Sequence, residues 1–396
     1  MPTEAEEIWR YSRIGELDLD AFRPATGGWN QATADAATVQ VTTDLASPAA
    51  LVVVHNGRVV RTQVDPGLSA RGLLVGDATG LADGENVFAA VIDEGDRVGP
   101  DDAFVDLGDA FSPGPVVIRV PAGIAVQRPV VIVHWTDGDG LAAFPSTAVQ
   151  CGADSELTVV EHHASADVRA FSAPVVRLAL GNAARLRFVG VQDLGPRVFS
   201  VAYQRSRVGR DATLATSAVA LGGDYARLRA DSRIDGKGGS ASLMAAYFAD
   251  GSRMHDFRTL QDHAAPCSTS DLVFKGAVQD TARSVYSGLI RVGKEAPGTN
   301  AFQTNRNLVL SDGAGAESVP NLEIETDDVR CSHASAVGPI DEEQRYYLES
   351  RGIPPEVAER LIVLGFLADV IDKIPSANLV AAIKATIAQR LEARAR

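Results

Sequence analysis

Two residues near the end of this chain carry the clearest chemical signal: Cys331 and His333, a thiol and an imidazole two positions apart. Thiolate is a soft ligand and neutral imidazole a borderline one, so the pair suits a transition metal such as iron. On an extended chain, side chains two apart project the same way, about 6.5 to 7 Å along the strand. Residues 321–330 (NLEIETDDVR) alternate apolar and polar positions with Leu322 and Ile324 on one face, which predicts a half-buried strand delivering the pair. A turn through Ala334, Ser335 and Ala336 is expected next, and then a firmly marked helix. Asp341 caps it, Gln344 completes a capping-box spacing, Glu342 and Glu343 suit its positive end, and Arg351 with Gly352 closes it.

The other candidates are weaker. His162 and His163 follow Glu161 on a predicted strand and so lie on opposite faces, unable to share one metal without a bulge, and read as a solvated pair. His255, His263 and Cys267 fit no standard zinc spacing. Gly236-Lys237-Gly238-Gly239 is too short for a phosphate loop and reads as a turn, so this chain alone is not expected to bind nucleotide. Nor is there a Gly-x-Ser-x-Gly elbow or a credible triad.

These residues sit within a long series of short extended segments. From 115 to 335 they recur at 116–120, 130–135, 157–162, 175–180, 185–191 and 198–203, and continue to 302–310 with no long helix between them. Segment starts lie about 10 to 19 residues apart, with Gly, Asn or Asp at the turns, and no strict repeat motif is evident; stacked coils of a solenoid and the strands of a β-sandwich would both give this pattern. Small inward residues and only 6% aromatics favour the narrower, stacked core. In 226–234, Arg227, Arg229, Asp231 and Arg233 share one face, which reads as wet, opposite Ala226, Leu228, Ala230 and Ile234. Residues 1–114 form an N-terminal helical and mixed region, helical over 4–22, with Asn56-Gly57 marking a hairpin. Residues 336–396 form a C-terminal helical region. Pro354-Pro355 starts one helix reaching towards Lys373, and Ser376 caps another in which Leu379, Ile383, Ile387 and Leu391 recur every four residues.

The 396 residues are 45% hydrophobic and 22% charged, enough to bury a large core. With 37 basic against 51 acidic residues the formal charge is -14, which argues against nucleic acid or an anionic membrane as the main partner. Three cysteines form no disulfide framework, the acidic start is no signal peptide, and no apolar run approaches the ~20 residues of a membrane helix. A cytoplasmic location is expected.

The segment 305–353 resembles the SufB/SufD family of iron–sulfur cluster assembly scaffolds. The likeness rests on Asn307 to Asp312, Asn321 to Ile324, Asp327 to His333, Gly338, Asp341 to Glu343, Tyr347-Leu348 and Ser350 to Ile353, in one order and spacing. It extends upstream through Asp262-His263-Ala264-Ala265-Pro266, Lys275-Gly276 and Arg291-Val292, and to Glu7-Ile8-Trp9-Arg10-Tyr11, features that favour the SufD branch. Two departures stand out: Ala334-Ser335-Ala336 replaces the family's Gly-Ala-Thr, and Cys267 replaces a histidine. The resemblance implies a mainly β fold, a right-handed parallel β-helix core flanked by helical ends. It further implies a non-catalytic scaffold working with a SufB-like paralogue and a SufC-like ATPase, the latter docking after Gly352, and a possible homodimer when isolated. His333 and Cys331 would then hold transient iron or a nascent cluster at the SufB interface. One imidazole and one thiolate are too few to hold a stable cluster unaided. A SufB-type paralogue would be expected to bring sulfur-accepting cysteines, and a polysaccharide-acting β-helix protein an exposed charged cluster with aromatic platforms.

Overall fold

The structure, a computed structural model, describes residues 2–34, 38, 48–93 and 102–394. Its strands run alternately into two sheets, and within each sheet a strand pairs in parallel with the one a full coil later. Tyr225 lies beside Met254, and Met254 beside Arg283, a step of 29 residues in each case. About eight such coils stack into the expected parallel β-solenoid.

Alternation along each strand sends one set of side chains into the lumen between the sheets and the other set outwards. In the first coils the lumen is aliphatic, with Val52, Val54, Ile118, Val130, Ile132, Leu157 and Val159 all buried. Further along it becomes aromatic, through Tyr247, Phe257, Phe274 and Tyr286. Small residues make room for these rings. A Cβ on Gly276 would lie 1.8 Å from the Tyr247 ring, so only glycine fits beneath that phenol.

One corner of the solenoid repeats a conformation the chain reaches only at some cost. Asp154, Ala183, Asp211, Gly238, Cys267 and Gly298 occupy the left-handed region in successive coils. Two residues ahead of the first four of these stand Gly152, Gly181, Gly209 and Gly236, where a Cβ would press on the backbone of the preceding coil. This column is a repeat of 27 to 29 residues, and it assigns Gly236 and Gly238 to a corner, as the turn reading expected.

The two ends of the stack differ. The Asn56-Gly57 hairpin forms as expected and lays strand Arg58–Val64 antiparallel on Ala50–His55, closing one sheet, while Leu74–Asp77 runs antiparallel to Val116–Val120 and closes the other. Because Ala50–His55 pairs in parallel with Val130–Thr136, the β stack reaches upstream of residue 115. At the opposite end, Gly315–Ile324 and Val329–Gly338 are the last strands, and among the described residues nothing pairs with their outer edges.

Both outer faces are covered. Helices Pro355–Ile371 and Ala377–Arg394 pack Val363, Leu367, Val370, Ile371, Ile383 and Ile387 over Val131, Val160, Val189 and Phe248. Each such side chain contributes roughly 1.5–3 kcal/mol on burial. Residues 4–22 are not the expected helix. They form three short 3-10 turns, Glu7–Trp9, Ile14–Glu16 and Leu19–Ala21, bent to follow the other sheet. Nor is the charged face of Tyr225–Ile234 wet: Arg227, Arg229 and Asp231 are buried beneath this segment and the helix Ala103–Phe111. Arg227 donates to the Ile8 carbonyl at 2.7 Å, Arg258 to that of Arg10 at 2.6 Å, and Arg229 to Asp102 at 3.3 Å.

Candidate functional site

Cys331 and His333 lie on the last strand of the solenoid. The extended segment expected over 321–330 is interrupted: one strand ends at Ile324, residues 325–328 turn, and Val329–Gly338 begins a new strand in the other sheet. The strand carries on through Ala334, Ser335 and Ala336, so no turn follows His333 and no positive φ is needed there. Alanine in place of glycine at 334 is therefore compatible with the backbone.

Register fixes where the pair points. Cys331 sits beside Ala301 and His333 beside Gln303, both buried lumen residues of the preceding coil. Cys331 packs with Ile290, Val292, Leu322 and Val329 across the lumen. His333, two residues on, faces the same way at the open mouth, where no further coil covers it, and it is exposed. Burial pushes the Cys331 thiol up, against the backbone contact from Ala301. It is therefore largely protonated at neutral pH, and a metal must displace that proton to bind it.

Beneath the mouth the lumen is polar. Tyr247 donates to Asn307 at 2.6 Å, Asn307 to Asn305 at 2.8 Å, and Asn305 to the Tyr247 hydroxyl at 3.1 Å, with Ser284 donating to Asn307 at 3.2 Å. This closed network holds the penultimate strand in place behind the pair. The following helix, Glu342–Ser350, is capped as expected, with Asp341 accepting from the Glu343 and Gln344 amides at 2.8 and 3.3 Å. Ile324 and Val337 on the two last strands are exposed, as are Tyr346 and Tyr347 on that helix.

A family model described as SUF system FeS cluster assembly, SufBD core domain, matches residues 134–366, from strand Val130–Thr136 through the last strand, Val329–Gly338, and into helix Pro355–Ile371. The chain belongs to the SufBD family. A SufBD family iron–sulfur cluster assembly protein of Mycobacterium tuberculosis is 38% identical over 284 residues, covering 70% of this chain and 71% of the relative. The SufD cluster assembly protein of Escherichia coli is 28% identical over 406 residues, 100% of this chain and 90% of its own length. SufD of Bacillus subtilis is 29% identical over 272 residues, 68% of this chain and 62% of its own.

Several residues that carry the SufBD resemblance serve the framework. Asp262 accepts from Arg233 and Arg291, each at 2.8 Å, and His263 bonds Ser268 and Ser270 at 2.7 and 2.9 Å. Lys275 pairs with Asp369 and lies 4.7 Å from the Phe366 ring, fastening a C-terminal helix to the solenoid. His255 bonds the Gly222 carbonyl at 3.1 Å, and Cys267 is an exposed corner residue, so the two do not combine with His263 into a metal site. Cys151 is buried, its thiol pushed up to about 12 by that burial, with Ser155 opposing. The histidines after Glu161 overturn the solvated reading: His162 faces outwards and is packed over, while His163 turns into the lumen against Glu161 and His134. His134 went unnoticed in the sequence because its partners lie 27 and 29 residues away, one coil later.

Proposed function

We propose that this chain is a SufD-like scaffold subunit of a SUF assembly complex. It acts in the cytoplasm without catalysing a reaction itself, with a SufB-like paralogue and a SufC-like ATPase. The observation carrying this reading is the open end of the solenoid. Two ten-residue strands present unpaired edges there, with a thiol and an imidazole at the lumen mouth between them. An uncovered edge is a ready template for pairing with another chain, and here the edge strands are parallel continuations of the stack, whereas those at the opposite end are antiparallel. A paralogue adding its own terminal strands would bring further ligands to His333 and Cys331, which alone are too few for a cluster. Iron or a nascent cluster is the cargo of that shared site, and the two-chain requirement keeps it transient. The SufD relative matched along the whole chain favours the SufD branch over SufB.

The test is iron content of the purified three-component complex. His333→Ala should assemble normally and carry markedly less iron, with Cys331→Ser affected less. Iron loading equal to wild type in His333→Ala rejects the assignment.

A further inference from the structure

A second cluster of ligand-type side chains lies inside the lumen of the early coils. Register places His163 directly beside His134, one coil apart, and Glu161, two residues before His163, faces the same way. Their donor atoms all fall within 4.8 Å of one another. His134 Nε2 is 2.8 Å from one Glu161 oxygen and His163 Nε2 is 3.7 Å from the other. From the opposite sheet the Thr147 hydroxyl donates to Glu161 at 2.6 Å, orienting the carboxylate.

Ordinary core packing does not account for this arrangement. A carboxylate 2% exposed among aliphatic residues is costly unless its charge is met. Among the described residues Glu161 pairs with no lysine or arginine. Its two oxygens are turned instead to the two imidazoles, one each. His134 Nδ1 is buried and has no hydrogen-bond partner among the described residues, so on ion binding the ring proton shifts from Nε2, now donating to Glu161, to Nδ1. The two rings stack 4.2 Å apart and parallel within 1°, with both Nε2 atoms turned towards the Glu161 carboxylate.

Space adjoins the donors. A cavity of about 90 Å³, lined among others by Glu161, His163, Gly190, Gln204 and Leu228, opens next to them. At roughly 30 Å³ per water it holds the one or two that an incomplete protein shell requires. Two imidazoles and one carboxylate with open positions form the donor set of divalent zinc and non-haem iron sites.

We propose that His134, Glu161 and His163 bind one divalent first-row transition ion inside the lumen, with water completing its shell. This site is separate from the mouth: the strand of His163 lies six strands from that of Cys331 and His333, roughly 29 Å along the stack. The ion offsets the Glu161 charge and joins two adjacent coils.

Equilibrium dialysis of the tag-free full chain against Zn(II), with bound metal counted by mass spectrometry, tests this, using protein dialysed in the native state and protein expressed with added zinc. One equivalent should be retained by wild type and by the Cys331→Ala/His333→Ala double variant. Glu161→Gln and His163→Asn, each confirmed as folded by circular dichroism, should bind at least tenfold more weakly. Co(II) in place of zinc should give visible d–d bands that His163→Asn removes. If Glu161→Gln does not fold, His163→Asn alone decides, because its longer contact is the one the fold can lose. Substoichiometric zinc in folded wild type by both routes, or retention unchanged in His163→Asn, overturns the proposal.

Discussion

Trp9 and Arg227 seal the N-terminal segment to the solenoid: the guanidinium carbon lies 3.8 Å from the centroid of the indole ring, and the Arg227 side chain is wholly buried. Arg227 also donates to Asp256 at 2.8 Å, and Asp256 accepts from Tyr225 at 2.7 Å and Arg258 at 2.6 Å. Ion pairs this deep contribute little net stability, because desolvation offsets their attraction, yet removing one partner leaves an uncompensated charge. The polar face of this strand is thus a glue line under Glu7–Trp9, and its charges make the docking of that segment specific.

Removing the shared carboxylate should therefore expose the design. Asp256→Ala should cost about 3–5 kcal/mol, since two arginines lose their counter-charge. Trp9→Ala should cost a similar ~3–5 kcal/mol, and a cycle with Arg227→Met should reveal positive coupling between ring and cation. Urea midpoints measure both. An Asp256→Ala protein as stable as wild type would show that the seal is not electrostatic.

Acid should weaken the protein well before its carboxylates titrate. His134, His162, His255 and His263 are each lowered from 6.5 to about 4, in every case chiefly by burial. The folded state holds them neutral, so the unfolded chain binds more protons between those values. Stability from these groups is complete above pH 6.5 and is lost as pH falls towards 4, at about 1 kcal/mol each by pH 5.5. Glu161, also held low, acts in the same direction below the ordinary carboxylate range. The urea midpoint should fall steeply from pH 7.5 to 5.5, and His255→Gln should flatten the dependence by one proton. A level profile would mean that these histidines are not held neutral.

Much of the architecture was legible because strand alternation and helix caps are local. The extended segments, the Asn56-Gly57 hairpin, the Asp341 cap and the Ser376 cap all depend on neighbours a few residues away, and each is present. What escaped depends on the coil period. The column Gly152, Gly181, Gly209 and Gly236 marks the corners of the repeat, but its neighbours vary too much to make a motif. The charges of 227–233 look solvated until residues 7–16, more than two hundred positions away, fold over them. Cys331 and His333 were legible as a pair on one strand face. That they stand at the lumen mouth follows only from their strand being the last, a property of the whole stack.

The terminal edges yield a prediction about assembly. Val319 and Val337 are exposed on the two last strands, 38% and 45% accessible, where substitution disturbs little packing. Lysine at an edge opposes strand pairing, through charge and desolvation. Val337→Lys combined with Val319→Lys should change stability by less than about 1 kcal/mol and should weaken association with the proposed SufB-like partner, read by light scattering after gel filtration. Unaltered association would move that interface away from the open end.

The C-terminal helices allow the proposed ATPase docking to be separated from folding. Of the apolar run in Pro355–Ile371, Val363 and Leu367 are buried against the sheet, and Ile362, Leu364 and Phe366 are half-buried there. Leu361 alone stands out at 46% exposure. Ile362 and Phe366 are thus partly committed to the solenoid, and Phe366 also receives the Lys275 ammonium. Phe366→Asp should therefore destabilise the helix packing by ~2–4 kcal/mol through lost apolar contact and a buried charge. Leu361→Asp should leave the urea midpoint within ~0.5 kcal/mol of wild type. If this face receives a SufC-like ATPase, that same variant should bind it several-fold more weakly in a calorimetric titration. Normal binding by folded Leu361→Asp would exclude this face and direct attention to exposed Tyr346 and Tyr347 on the preceding helix.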